Sequence, residues 1–183
     1  VGDVYLRSAL RLDWVVGRPT VYILVDVWST AIVGFYICLN SPSWATAKLA
    51  LFCSVADPNL IANLWGYTSH ASLNPSPTLP NILLCDRGEY LSEASRKTVK
   101  TLEMDASYTP PYRPDLKGLV EVLHRIGKDE LFFFTPGAID QRRKELELRR
   151  FNPFDALLTI KDLAALLDGK RLANPSPQFP LDG

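Results

Sequence analysis

Thr20-Val21-Tyr22-Ile23-Leu24-Val25-Asp26-Val27-Trp28-Ser29-Thr30-Ala31-Ile32-Val33-Gly34-Phe35-Tyr36-Ile37-Cys38-Leu39 is the stretch on which the fold turns. Its apolar length from Val21 to Leu39 invites a membrane helix. Asp26, Ser29 and Thr30 near its centre, and its many β-branched and aromatic residues, argue instead for two strands around a tight turn. Thr20 to Trp28 makes the first and Ala31 to Leu39 the second. Just upstream, Gly17-Arg18-Pro19 is turn chemistry, and Val4 to Leu10 reads as another strand. Three strands with short connections predict an antiparallel meander.

Downstream, Ser41-Pro42 predicts a helix start, with Ser41 as N-cap and Pro42 at the first helical position. That helix runs to about Ala56, with Trp44, Ala47, Leu51 and Val55 on its apolar face, widened by Ala45, Leu49 and Phe52. Asp57 to Pro80 reads as a polar, proline-bearing connection, and Asn81 to Cys85 as a short, buried, central strand. Ser92 to Met104 is helical and Ala106 to Tyr108 a short strand. Pro110, Pro111 and Pro114 impose an extended loop before a long helix reaching Phe133. Beyond Thr135-Pro136-Gly137 lie a charged helix (Gln141 to Phe151), a short apolar helix (Thr159 to Leu167) and a Pro-rich tail. The order βββ-α-β-α-β-α is that of an α/β sandwich with a mixed sheet.

A chain of 183 residues suits one well-filled domain. Lys plus Arg equals Asp plus Glu at 20 each, so any nucleic-acid contact must come from a local basic surface. Cys38, Cys53 and Cys85 are scattered, with no Cys-x-x-Cys word, which argues against a zinc site or a disulfide framework. Buried thiols in a reducing, cytoplasmic setting fit them, and no secretory signal peptide is visible.

The chemistry-bearing words are Asn81-Ile82-Leu83-Leu84-Cys85-Asp86-Arg87-Gly88-Glu89 and Pro111-Tyr112-Arg113-Pro114-Asp115-Leu116-Lys117-Gly118-Leu119-Val120-Glu121. Asp86 ends an apolar strand, where ligand sites of α/β sheets gather. Glu121, 35 positions on, stands near the start of the long helix. Lys117, Arg125 and Lys128 share its face, while Leu116, Leu119, Leu123 and Ile126 form the packing face. Two such carboxylates repel unless hard cations neutralise them, and oxygen donors suit Mg²⁺ or Mn²⁺. A pair of ions about 4 Å apart can activate an attacking oxygen and stabilise a leaving one at phosphorus.

These words resemble the DDE transposase and retroviral integrase catalytic core, a ribonuclease H-like fold with a mixed five-stranded sheet flanked by helices. They are most similar to TnsB-type and Mu-type bacterial transposases. The resemblance covers about residues 3 to 134, with weaker similarity to about Leu167. It rests on Gly17 to Ser29, Ile32-Val33-Gly34-Phe35, Pro42-Ser43-Trp44, Asp86-Arg87-Gly88-Glu89 and Lys117-Gly118-Leu119-Val120-Glu121.

It implies a catalytic core at 1–134 and a helical extension with a Pro-rich tail at 135–183. Asp86 and Glu121 would be two of three metal-ligating carboxylates, and the complete site would hold two Mg²⁺ or Mn²⁺ ions. The family's first aspartate projects upstream of Val1, so this fragment is expected to be inactive or nearly so. Asp3 and Asp26 are candidate additional carboxylates: Asp3 is the nearest one remaining but does not match the first-aspartate motif, and Asp26 matches a family position on the neighbouring strand that is usually not catalytic. Arg87, Arg113, Lys117, Arg125 and Lys128 are candidate DNA contacts. Implied partners are transposon-end and target DNA, sister transposase subunits and an ATP-dependent target-selection protein, acting in the bacterial cytoplasm at the nucleoid and not at a membrane.

Each residue also has a plainer reading. Asp86 alone would be a turn-capping aspartate, and Glu121 alone a solvated partner of Lys117 or Arg125 worth about 0.3–0.5 kcal/mol. Asp26, Asp3 and His124 read first as structural or exposed. Trp14, Trp28, Trp44 and Trp65 read as packing residues rather than base-stacking platforms. Two other functions fit the same fold: a ribonuclease H-like nuclease acting by hydrolysis alone, and a non-catalytic DNA-binding or assembly module derived from a transposase.

Overall fold

A computed structural model describes residues 4–27, 31–69, 78–85, 92–108 and 153–172. The decisive stretch forms β3 (Thr20–Val25) and β4 (Ile32–Cys38), paired antiparallel in the register Val21↔Ile37, Tyr22↔Tyr36, Ile23↔Phe35, Leu24↔Gly34. It is therefore a strand pair, and no helix among the described residues is long and apolar enough to cross a membrane.

Both faces of this pair are covered. Val21, Ile23, Phe35 and Ile37 share one cluster with Val4, Leu6, Leu163, Ala164 and Leu167. Tyr22, Leu24, Tyr36 and Cys38 share another with Trp44, Ala47 and Ala50 of helix α1 (Trp44–Val55). Period-two alternation thus divides two apolar strands between two buried faces.

The expected meander is not what precedes β3. β1 (Leu6–Arg7) ends early and pairs antiparallel with β2 (Val15–Gly17), a hairpin that the sequence pattern does not announce. The Ser8 hydroxyl stops β1 by accepting from the Leu10 and Arg11 amides, both at 3.2 Å. This turns the chain and leaves Leu10 in solvent, 95% exposed.

The cap of α1 is Ser43, not Ser41. Its hydroxyl accepts from the Thr46 amide at 3.3 Å, and its own amide donates to the Tyr22 hydroxyl at 2.9 Å. A side chain from β3 therefore decides where the helix starts, which local sequence does not reveal. Ser43→Ala is expected to cost about 1 kcal/mol, the usual value of an N-cap, read as a lower urea midpoint at unchanged slope. The apolar face of α1 also differs in part: Trp44, Ala47 and Leu51 are buried as expected, but Phe52 is exposed, and Thr46 and Ser54 are buried.

The connection after α1 contains helix α2 (Pro58–Trp65). Asp57 caps it, Pro58 opens it, and Gly66 closes it in the left-handed conformation at φ 80°. The start and stop signals are complete in Asp57-Pro58…Gly66, although the polar composition around them outweighs them in a reading of the whole segment.

β5 (Ile82–Cys85) pairs parallel with β6 (Asp105–Tyr108), and helix α3 (Glu93–Thr101) joins them, capped by Ser92. Leu83 and Ala106 pack with Leu24, Leu51, Val99 and Met104, so α1 spans from β3 to the β5–β6 pair. The Trp44 indole N–H donates to the Thr98 hydroxyl at 3.3 Å, tying α1 to α3. β5 is less covered than expected, with only Cys85 buried. Ile82 is 62% and Leu84 41% exposed, because among the described residues the packing of Leu83 covers one face of the strand only.

Helix α4 (Ile160–Leu172) comes after a 3-10 turn at Pro153–Asp155. Thr159 and Asp162 form its reciprocal cap: the Asp162 carboxylate accepts from the Thr159 amide at 2.9 Å, and the Thr159 hydroxyl from the Asp162 amide at 3.3 Å. The helix expected at Thr159 to Leu167 is thus present and longer. The helices expected at 115–133 and 141–151 lie outside the described residues.

Candidate functional site

The parallel register of β5 and β6 sets where the chain leaves each strand. Cys85 is opposite Tyr108, so both strands end at the same edge of the sheet. Paired strands lie about 4.8 Å apart. The segment beginning with Asp86 and the one leading through Arg113 to Glu121 therefore depart from neighbouring strand ends. Such an edge, the carboxyl end of parallel strands, is where α/β sheets build their ligand sites.

The end of β5 is firmly held. Cys85 is buried, and its thiol lies 3.8 Å from the Ser107 carbonyl and 3.9 Å from that of Leu83. Packing of Leu83 against Leu51, Val99 and Met104 fixes the strand from below. A buried thiol in this setting serves packing rather than reactivity. Cys38 and Cys53 are likewise buried, and none of the three cysteines is in a disulfide.

Asp26 is half-buried just past β3, and its amide donates to the Ala31 carbonyl at 2.9 Å, closing the β3–β4 connection. Asp3, Asp86, Arg87, Arg113, Lys117, Glu121, Arg125 and Lys128 lie outside the described residues. Among the described residues, no group of three or more His, Cys, Asp or Glu side chains is arranged to hold a metal ion.

Burial pushes the Tyr36 hydroxyl above its ordinary range, with Cys38 and Cys53 adding to the effect. Tyr36 remains a neutral phenol near pH 7; its ring meets Trp65 edge-on at 6.0 Å. Trp44 is a core residue, as expected. Trp14 is 56% exposed, with the Arg11 guanidinium 4.4 Å from its ring centroid.

Sequence reasoning missed Arg7. Its Nη2 donates to the Phe154 carbonyl at 2.8 Å, and its other guanidinium nitrogens donate to the carbonyls of Ala156 and Leu12. Nothing in the local sequence signals these contacts, because Phe154 and Ala156 are 147 and 149 positions away.

Comparison with known proteins gives the class: this is a member of a transposase family. The sequence profile of the TnsB C-terminal domain matches residues 1–137, and the chain belongs to that family. It is similar to the transposon Tn7 transposition protein TnsB of Escherichia coli, with 31% identity over 167 residues, 91% of this chain. The chain spans 24% of that protein's length.

Proposed function

We propose that this chain is part of the catalytic core of a DDE-type DNA transposase, with a ribonuclease H-like fold. The observation that carries the reading is the parallel β5–β6 pair, whose adjoining carboxyl ends lead into the Asp86 and Glu121 segments. The antiparallel β3–β4 pair and the span of α1 from β3 to β5 support a single mixed sheet in the complete core.

In this reading Asp86 and Glu121 are metal ligands. Their oxygen donors suit Mg²⁺ or Mn²⁺, and two such ions, when bound, would supply charge neutralisation at the attacking and leaving oxygens of an in-line displacement. Arg87, Arg113 and Lys117 hold backbone phosphates, with Arg125 and Lys128 extending the basic ridge. The core runs over 1–134, and 135–183 extends it. The longer protein nicks transposon ends at the 3′ side and joins them to target DNA. It works with sister subunits and an ATP-dependent target-selection protein in the bacterial cytoplasm.

The test is a strand-joining assay with a labelled transposon-end duplex and Mg²⁺ or Mn²⁺. The enzyme is the longer protein that carries this sequence. Joined product is the expected result. Hydrolysis without joining would favour a nuclease, and absence of both would favour a non-catalytic DNA-binding or assembly module.

A further inference from the structure

The family profile ends at residue 137, yet residues 153–172 are built into the first strand of the domain. The Arg7 amide donates to the Leu158 carbonyl at 2.8 Å, and Arg7 forms a parallel bridge with Thr159. The segment therefore pairs with the edge of β1. Beside that seam, Val4 and Leu6 are both fully buried in one cluster with Leu163, Ala164 and Leu167 of α4 and with Phe35 and Ile37 of β4. At the far end of α4, Asp168 is 1% exposed and accepts from the Ser69 hydroxyl at 3.2 Å.

We propose that residues 153–172 form a clasp that locks β1 onto the β3–β4 sheet and opens as a unit, with the Arg7 guanidinium as the positioning residue that closes it. The chemistry favours arginine for this role. Three carbonyls, from Leu12, Phe154 and Ala156, converge on one planar fork of donors. Lysine, a single ammonium on a flexible stem, cannot satisfy three fixed acceptors lying in different directions. The same guanidinium reaches the β1–β2 connection through Leu12, so closure of the clasp also fixes the hairpin. The clasp depends on the fold alone and holds whether or not the catalytic reading does.

Amide hydrogen exchange on the intact chain tests it. In Arg7→Lys, protection at the Arg7 amide and along 156–168 is expected to fall about tenfold or more, the scale of one lost charge-assisted hydrogen bond. Protection in α1 and α3 is expected to stay as in the parent. Leu163→Ala, which weakens the clasp from the opposite side, is expected to raise exchange at the Arg7 amide, keeping the test open if Arg7→Lys folds poorly. Unchanged protection at 156–168 in both variants would overturn the proposal. So would an equal fall in α1 and α3, which would make Arg7 a support of the whole fold.

Discussion

Gly34→Val is expected to abolish the native packing of α1 on the sheet. A Cβ at Gly34 would lie 2.9 Å from the Ala50 carbonyl oxygen, 2.9 Å from the Ser54 amide nitrogen and 2.9 Å from the Ser54 Cβ. Two of those atoms are helix backbone and cannot rotate away. Relief requires α1 to move off β4 as a body, which would open the cluster of Tyr22, Cys38, Trp44, Ala47 and Ala50. It would also strain the Ser43 and Thr46 contacts of the Tyr22 hydroxyl, each 2.9 Å long. Gly34→Ala is expected to cost about 1–3 kcal/mol, the usual range for overpacking, and the two further methyls of valine to cost more than that. Urea unfolding monitored by tryptophan fluorescence reads the effect as a lowered midpoint, with Phe52→Ser at a 52% exposed position on the same helix as the control. A Gly34→Ala midpoint equal to that of the parent would contradict the close approach.

The same glycine shows what is legible in the sequence. The strand pair can be read because Val, Ile, Tyr and Phe dominate both halves and a polar turn divides them. The side facing α1 cannot, because both faces are buried and alternation carries no polar mark. Local capping signals are sufficient for α2, where Asp57-Pro58 and Gly66 bracket the helix, but neighbouring polar residues obscure them. They are insufficient for α1, where Ser41 and Ser43 are equally good caps and the Tyr22 hydroxyl selects the second.

β5 shows a different limit. Four apolar residues in a row read as a strand buried on both faces, whereas Ile82 and Leu84 are exposed and only the alternate positions pack. An apolar run records what a strand can bury, not how many neighbours it has. The clasp is the least legible part. Its helix is visible, but the carbonyls it presents to Arg7 are backbone atoms, which leave no trace in side-chain identity. The candidate site is legible as two words, and the fold adds that the strands leading into them are parallel neighbours.

Asp86→Asn and Glu121→Gln are each expected to remove divalent-cation binding while leaving the fold intact. Both substitutions keep side-chain size and delete one negative charge. A cation held by two carboxylates loses half of the formal charge that attracts it, and the remaining carboxylate alone is a weak ligand in water. The chain itself is expected to bind at most one Mn²⁺, weakly. Titration read by the Mn²⁺ paramagnetic resonance signal should show that binding vanish in either variant and persist in Asp105→Asn, which changes an exposed carboxylate on β6. On the proposed reading the two carboxylates repel one another without metal, so removing one charge is expected not to lower thermal stability. This separates a ligand from a turn cap: if Asp86 merely capped the turn after β5, Asp86→Asn would leave cation binding untouched. In the longer protein, either variant is expected to depress nicking and joining together by more than about a hundredfold, the upper end of what even outer-shell partners of a metal contribute. Full activity with either substitution would remove that residue from the metal site.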